Sequence, residues 1–133
     1  QKWLIANYHR PAYPAVKKPG RAKKHWVPLF EKYGVDLVFE SDGHTLKRTV
    51  PIFQGKRDDK KGVVYLGEGG LGVNLRTPKM KNKWYFQSPG YAKSAYHFFS
   101  LDVGAEKLKV DVISPNKLEL IDSILFFPRQ NRK

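Results

Sequence analysis

Two short segments of this chain carry side chains that could do chemistry: Asn7-Tyr8-His9-Arg10-Pro11 and Glu40-Ser41-Asp42-Gly43-His44. Imidazole and carboxylate together suit divalent or trivalent first-row metals. A guanidinium beside them suits a phosphate oxygen. His9, Asp42 and His44 are therefore the candidate metal ligands, and Arg10 is a weak candidate for contacting phosphate. Each has an ordinary alternative. A single histidine is more often a surface or hydrogen-bonded residue than a ligand, and Asp42-Gly43 is also a common turn pair. An arginine at a strand end is more often structural, and the same holds for Arg21 and Arg48. His25 reads as a surface or structural residue and His97 as packing. The 133 residues include no cysteine, which excludes a thiolate ligand, a cysteine nucleophile and a disulfide framework.

These side chains matter only if the fold gathers them. Trp3-Leu4-Ile5-Ala6 is an unbroken apolar run, the pattern of a strand buried on both faces of a parallel sheet. Trp26, Leu29, Phe30 and Tyr33 recur at helical spacing, with Pro28 in the first turn and Gly34 as the stop. Val35 to Phe39 is the next strand. This β-α-β unit predicts two parallel strands joined by a right-handed crossover. Ligand groups collect at the carboxyl ends of such strands, so His9, Asp42 and His44 would converge at one sheet edge. Beyond it, Thr45 to Phe53 and Val63 to Leu66 read as strands. Gly67 to Gly72 reads as a flexible loop, and Arg76 to Lys83 as a basic, mobile segment. Tyr96 to Val103, Leu108 to Ile113 and Leu118 to Phe127 read as three antiparallel strands. The fold class is thus α/β: a parallel β-α-β unit followed by mainly antiparallel strands. A chain that opens on a strand needing neighbours on both sides is expected to be a fragment or a processed product.

The formal charge of +13 raises the possibility of a nucleic-acid partner. Lys17, Lys18, Arg21, Lys23 and Lys24 form one cluster. Arg76, Lys79, Lys81 and Lys83 form another, leading into Trp84 and Tyr85, where aromatic rings beside cations could stack on bases. Against this, the basic residues are spread along the chain and no nucleic-acid fold signature is present. No apolar run reaches the roughly 20 residues of a membrane helix.

Residues 3–13, 28–39 and 43–49 together resemble the C-terminal half of a calcineurin-like metallophosphoesterase, closest to the purple acid phosphatase branch. That branch carries a His-x-Pro-x-Tyr segment, a helix, a Tyr-x-Val-Asp-x-Val strand, a Gly-His-x-His motif and a Tyr-Glu-Arg-Thr-like continuation. The Gly67 to Gly72 run and Ile121-Asp122-Ser123 fit the same pattern. The resemblance implies a metallophosphoesterase-type β-sandwich over residues 1–133, with the ligand motifs in 1–53 and the glycine-rich loop and antiparallel strands in 54–133. It implies a hydrolase acting on phosphate esters through two metal ions (iron, manganese, zinc or magnesium), and a secreted or periplasmic setting. His9 aligns with the lone histidine ligand and His44 with the second histidine of Gly-His-x-His. Asp42 falls on the first histidine and Ser41 on the glycine. This departure would favour iron, manganese or magnesium over zinc, or mark a degenerate site. The upstream Asp-x-His, Gly-Asp-x-x-Asp and Asn-His-Asp/Glu motifs are absent, so the chain holds about half a site. The missing N-terminal half, on the same or a separate chain, would be its partner, and the 133 residues alone should bind one metal weakly and hydrolyse little. Two other readings stand beside this one: a basic non-catalytic domain that holds polyanions such as nucleic acid, and a degenerate phosphoesterase domain used for interaction.

Overall fold

The computed structural model describes residues 2–129. Strand β1 (Ile5–Tyr8) and strand β2 (Leu37–Glu40) are parallel neighbours, with Ile5 opposite Leu37 and Tyr8 opposite Glu40. Between them run a long loop and two short helices, α1 (Ala22–His25) and α2 (Val27–Lys32). Pro28 lies in the first turn of α2, where its missing N–H has no cost. Gly34, at φ 65°, ends the helix. The Val35 N–H reaches back to the Phe30 carbonyl at 2.9 Å and the Gly34 N–H to the Glu31 carbonyl at 3.3 Å, closing a Schellman motif.

The chain then places β3 (Leu46–Arg48), the small hairpin β4 (Ile52–Phe53) and β5 (Lys56–Arg57), and β6 (Val64–Gly67). Strand β6 returns beside β2 and runs parallel to it. A 3-10 turn (Trp84–Phe86) precedes β7 (Tyr91–Lys93). The main sheet has the order β1-β2-β6-β3-β7, with β3 antiparallel to both of its neighbours. Strands β8 (Phe98–Val103), β9 (Leu108–Ile113) and β10 (Leu120–Phe126) form an antiparallel meander with β9 in the middle.

Side-chain alternation explains the layering. Leu37, Phe39, Val64 and Leu66 point to one face of the main sheet and pack on Leu108, Val110 and Ile124 of the meander. Val38 and Tyr65 point to the other face, where they meet Ala12, Tyr13 and Ala15 of the long loop together with Tyr85 and Phe86. The result is a sandwich of two sheets, with a loop-and-helix layer behind the first. This is the expected α/β class, a parallel unit followed by antiparallel strands.

The single strand expected over Thr45 to Phe53 is split into β3 and β4, which lie in different sheets, and two further local expectations fail. Strand β1 is not buried on both faces; it is the sheet edge, and Ile5 is 41% exposed. Of the helical stripe only Phe30 packs against the core. Trp26, Leu29 and Tyr33 are 46%, 49% and 54% exposed, while Val27 turns inward. Both follow from β1 pairing with β2 alone: among the described residues no strand lies outboard of it to cover these side chains.

Candidate functional site

The carboxyl ends of β1 and β2 are tied together, the Ser41 N–H donating to the His9 carbonyl at 2.9 Å. Beneath them lies a buried charge network. Lys47 on β3 is fully buried between Glu40, which ends β2, and Glu68, which follows β6. Its ammonium donates to the Glu40 carboxylate and to the Tyr13 carbonyl at 2.5 Å, and pairs with Glu68 Oε1 at 3.0 Å. Glu40 also accepts from the Tyr8 hydroxyl and from the Ala12 N–H at 2.6 Å. Glu68 accepts from the Ala15 N–H at 2.6 Å. The two acids thereby pin the loop that carries Arg10, Lys17 and Lys18 to the strand ends. Glu68 Oε2 is buried without a hydrogen-bond partner and faces Gly43, where an added Cβ would stand 1.6 Å from it. Only glycine fits there.

The turn Asp42-Gly43-His44 is sharp, with Asp42 at φ 68° and His44 at φ 58°. Asp and His tolerate this left-handed region better than most residues. The two side chains have different neighbours. Asp42 Oδ1 accepts from the Lys17 ammonium at 2.5 Å and lies 3.6 Å from His9 Nε2. The hydrogen bond from Lys17 holds the Asp42 carboxyl below its usual pKa, helped by the charges of His9 and Arg10 and opposed by partial burial. The His9 side chain is 78% exposed. His44 instead lines a separate hollow of about 800 Å³ with Leu71, Tyr96 and Asn116. Arg76 spans the two regions, its N–H donating to the His44 carbonyl at 2.9 Å and its guanidinium to the Asp42 carbonyl at 3.2 Å.

The fold therefore brings His9 and Asp42 close, while His44 lines the other hollow. Among the described residues no three His, Asp or Glu side chains gather to hold a metal ion. The cation that Asp42 needs is already supplied by Lys17. On their own the described residues form no such centre, and the two-metal centre that the sequence resemblance implies would need ligands from outside them.

What does assemble is positive. The two basic clusters, far apart in sequence, meet at this edge: Arg10, Lys17, Lys18, Arg76, Lys79 and Lys83 line a hollow of about 670 Å³. The Lys79 N–H bonds the Ala15 carbonyl at 2.8 Å, and the Lys83 ammonium bonds the Pro14 and Ala15 carbonyls at 2.7 and 2.8 Å. Burial pushes the Lys83 pKa down, and the nearby ammoniums of Lys47 and Lys79 add to this against the opposing pull of Glu68.

Sequence reasoning missed the Glu40–Lys47–Glu68 network. Its signal was a charged residue closing an apolar strand (Leu37-Val38-Phe39-Glu40) and a lysine inside another, since buried charges need partners. Arg48 is structural as expected, paired to Asp122 at 3.1 Å. His97 is buried as expected, its ring 5.1 Å from that of Phe99.

Among solved structures, the chain is similar to purple acid phosphatase PPD1 from yellow lupin (Lupinus luteus) seeds. The TM-score is 0.76 at 20% identity, over 94% of this chain and 25% of that one. It is also similar to GAP50, the anchor in the inner membrane complex of Plasmodium, with a TM-score of 0.69 at 14% identity, over 99% of this chain and 38% of that one. No family model and no curated protein matches it. At these identities the likeness establishes the fold: part of a phosphoesterase-like architecture, spanning well under half the length of either neighbour.

Proposed function

We propose that this chain is a phosphoesterase-fold domain that binds phosphate-bearing polyanions at its basic edge and does not itself hydrolyse them. The observation that carries this reading is the Lys17 ammonium 2.5 Å from Asp42. A lysine on the carboxylate satisfies its charge and occupies the space a metal ion would take. Five further cations surround it and leave a concave, positive surface at the strand ends, the usual ligand position of parallel sheets. The GAP50 anchor, described by its role in a membrane complex, has a similar fold, which supports a use of this architecture other than hydrolysis. The test is p-nitrophenyl phosphate turnover with manganese, iron or zinc supplied. The expected result is no hydrolysis above the buffer rate; metal-dependent turnover abolished by Asp42→Ala would overturn the reading.

The alternative is the hydrolytic one: His9, Asp42 and His44 as part of a binuclear site completed by other polypeptide, with phosphate esters as substrates. The 3.6 Å approach of His9 to Asp42 favours it. If it holds, Lys17→Ala should expose a divalent-cation site that titration calorimetry detects with manganese; no heat of binding for that variant favours the non-catalytic reading.

A further inference from the structure

The basic hollow has a neighbour of different character. Tyr8, Arg10, Arg21, His25 and Trp26 line a second hollow of about 680 Å³. Arg10 lines both. Trp26 is 46% exposed, and its ring is held edge-on to Tyr8 with 4.9 Å between centroids. A large aromatic ring left half in water, among cationic and imidazole groups, is the arrangement on which an unpaired base stacks. Among the described residues no carboxylate lines either hollow. Asp42 offsets Lys17 from one side, and Glu68 acts on Lys83 from the buried side.

We propose that the two hollows form one continuous site for single-stranded nucleic acid, with a base on Trp26, backbone phosphates over Lys18, Arg76 and Lys79, and Arg10 at the junction. The proposal rests on the polyanion-binding reading and specifies its ligand. A single strand is favoured over a duplex because the tryptophan can be reached only by a base turned out of a stack. It is favoured over a mononucleotide because Lys17, Lys18, Arg76, Lys79 and Lys83 line the other hollow and not the one that holds Trp26.

The test measures fluorescence anisotropy with three probes: a labelled eight-residue oligothymidylate, inorganic polyphosphate of similar charge, and ATP. Trp26→Leu keeps apolar bulk without the stacking face. It should weaken the oligonucleotide by roughly 5- to 100-fold and leave polyphosphate unchanged. The double variant Lys18→Gln/Lys79→Gln, at two exposed positions, should weaken both polymers and lower the salt slope for the oligonucleotide by about 1.4, two contacts at about 0.7 each. Equal binding of oligonucleotide and polyphosphate, both indifferent to Trp26→Leu, would overturn the base site and leave the basic edge standing. ATP binding as tightly as the oligonucleotide would overturn the single-strand assignment. Failure of all three probes to bind would overturn the polyanion reading itself.

Discussion

Replacing Lys47 by methionine removes the cation from the centre of the buried network while keeping the length of the side chain. Lys47 is fully buried and serves Glu40, Glu68 and the Tyr13 carbonyl. After the change Glu40 keeps two donors, Tyr8 and Ala12, whereas Glu68 keeps only the Ala15 N–H. Two carboxylates are then left close together in a dry interior. Breaking a buried pair from one side costs about 3–5 kcal/mol, a large share of the roughly 5–15 kcal/mol by which a domain is stable. At about 3–5 °C per kcal/mol for this size, Tm should fall by about 10–25 °C. Guanidinium unfolding followed by tryptophan fluorescence should show the midpoint shift with an unchanged m-value. The triple change Glu40→Gln/Lys47→Met/Glu68→Gln should recover much of the loss, because it removes the unpaired charges along with the cation. A Lys47→Met loss below about 1 kcal/mol would show that the network does not hold the loop to the strand ends.

Other outcomes follow from the same geometry. Gly43→Ala places a Cβ 1.6 Å from Glu68 Oε2 and should cost about 3 kcal/mol or prevent folding; a neutral effect in thermal denaturation would mean that Glu68 lies elsewhere. His97 is held below its ordinary pKa of 6.5 by burial, against a hydrogen bond to the Ala95 carbonyl that acts the other way. The fold thus keeps it neutral where the unfolded chain would protonate it. Its contribution is complete above the unfolded value and is lost as pH falls from there toward the depressed folded value. Tm should therefore decline on acidification from neutral pH, and His97→Gln should flatten that decline; an unchanged slope would remove His97 as its cause. Asp42 has the same sign, its folded pKa lying below the usual carboxylate value. Its stabilisation is present above the unfolded pKa and lost as pH falls through the folded one. Lys17→Ala should raise the carboxyl pKa observed by NMR.

Much of the architecture was legible in periodicity. The parallel β1–β2 pair, the Gly34 stop and the three-stranded meander all follow from local pattern, because each rests on side-chain alternation or on a residue with one favoured backbone state. What was not legible depended on non-local pairing. The insertion of β6 between β2 and β3 leaves no mark in either segment. The exposure of Trp26, Leu29 and Tyr33 follows from β1 being an edge, which an apolar run cannot announce. The candidate ligands follow from type and spacing, yet His44 ends a turn with two left-handed residues and lines a different hollow, and spacing does not encode that. Lys17 and the buried Lys47 network stayed hidden for a related reason: both depend on which loop carbonyls and carboxylates meet in space. The convergence of the two basic clusters is a property of the long loop packing on residues 76–83, visible only once that packing is formed.

The central claim is that the cationic edge of this chain holds phosphates without a metal. Inorganic polyphosphate binding, measured by competition anisotropy with a metal chelator present and then with manganese in its place, tests it most directly. The account predicts binding with the chelator present that manganese does not tighten, falling steeply as salt rises and weakened by Lys18→Gln/Lys79→Gln. Binding that vanishes with the chelator and returns with manganese would contradict it.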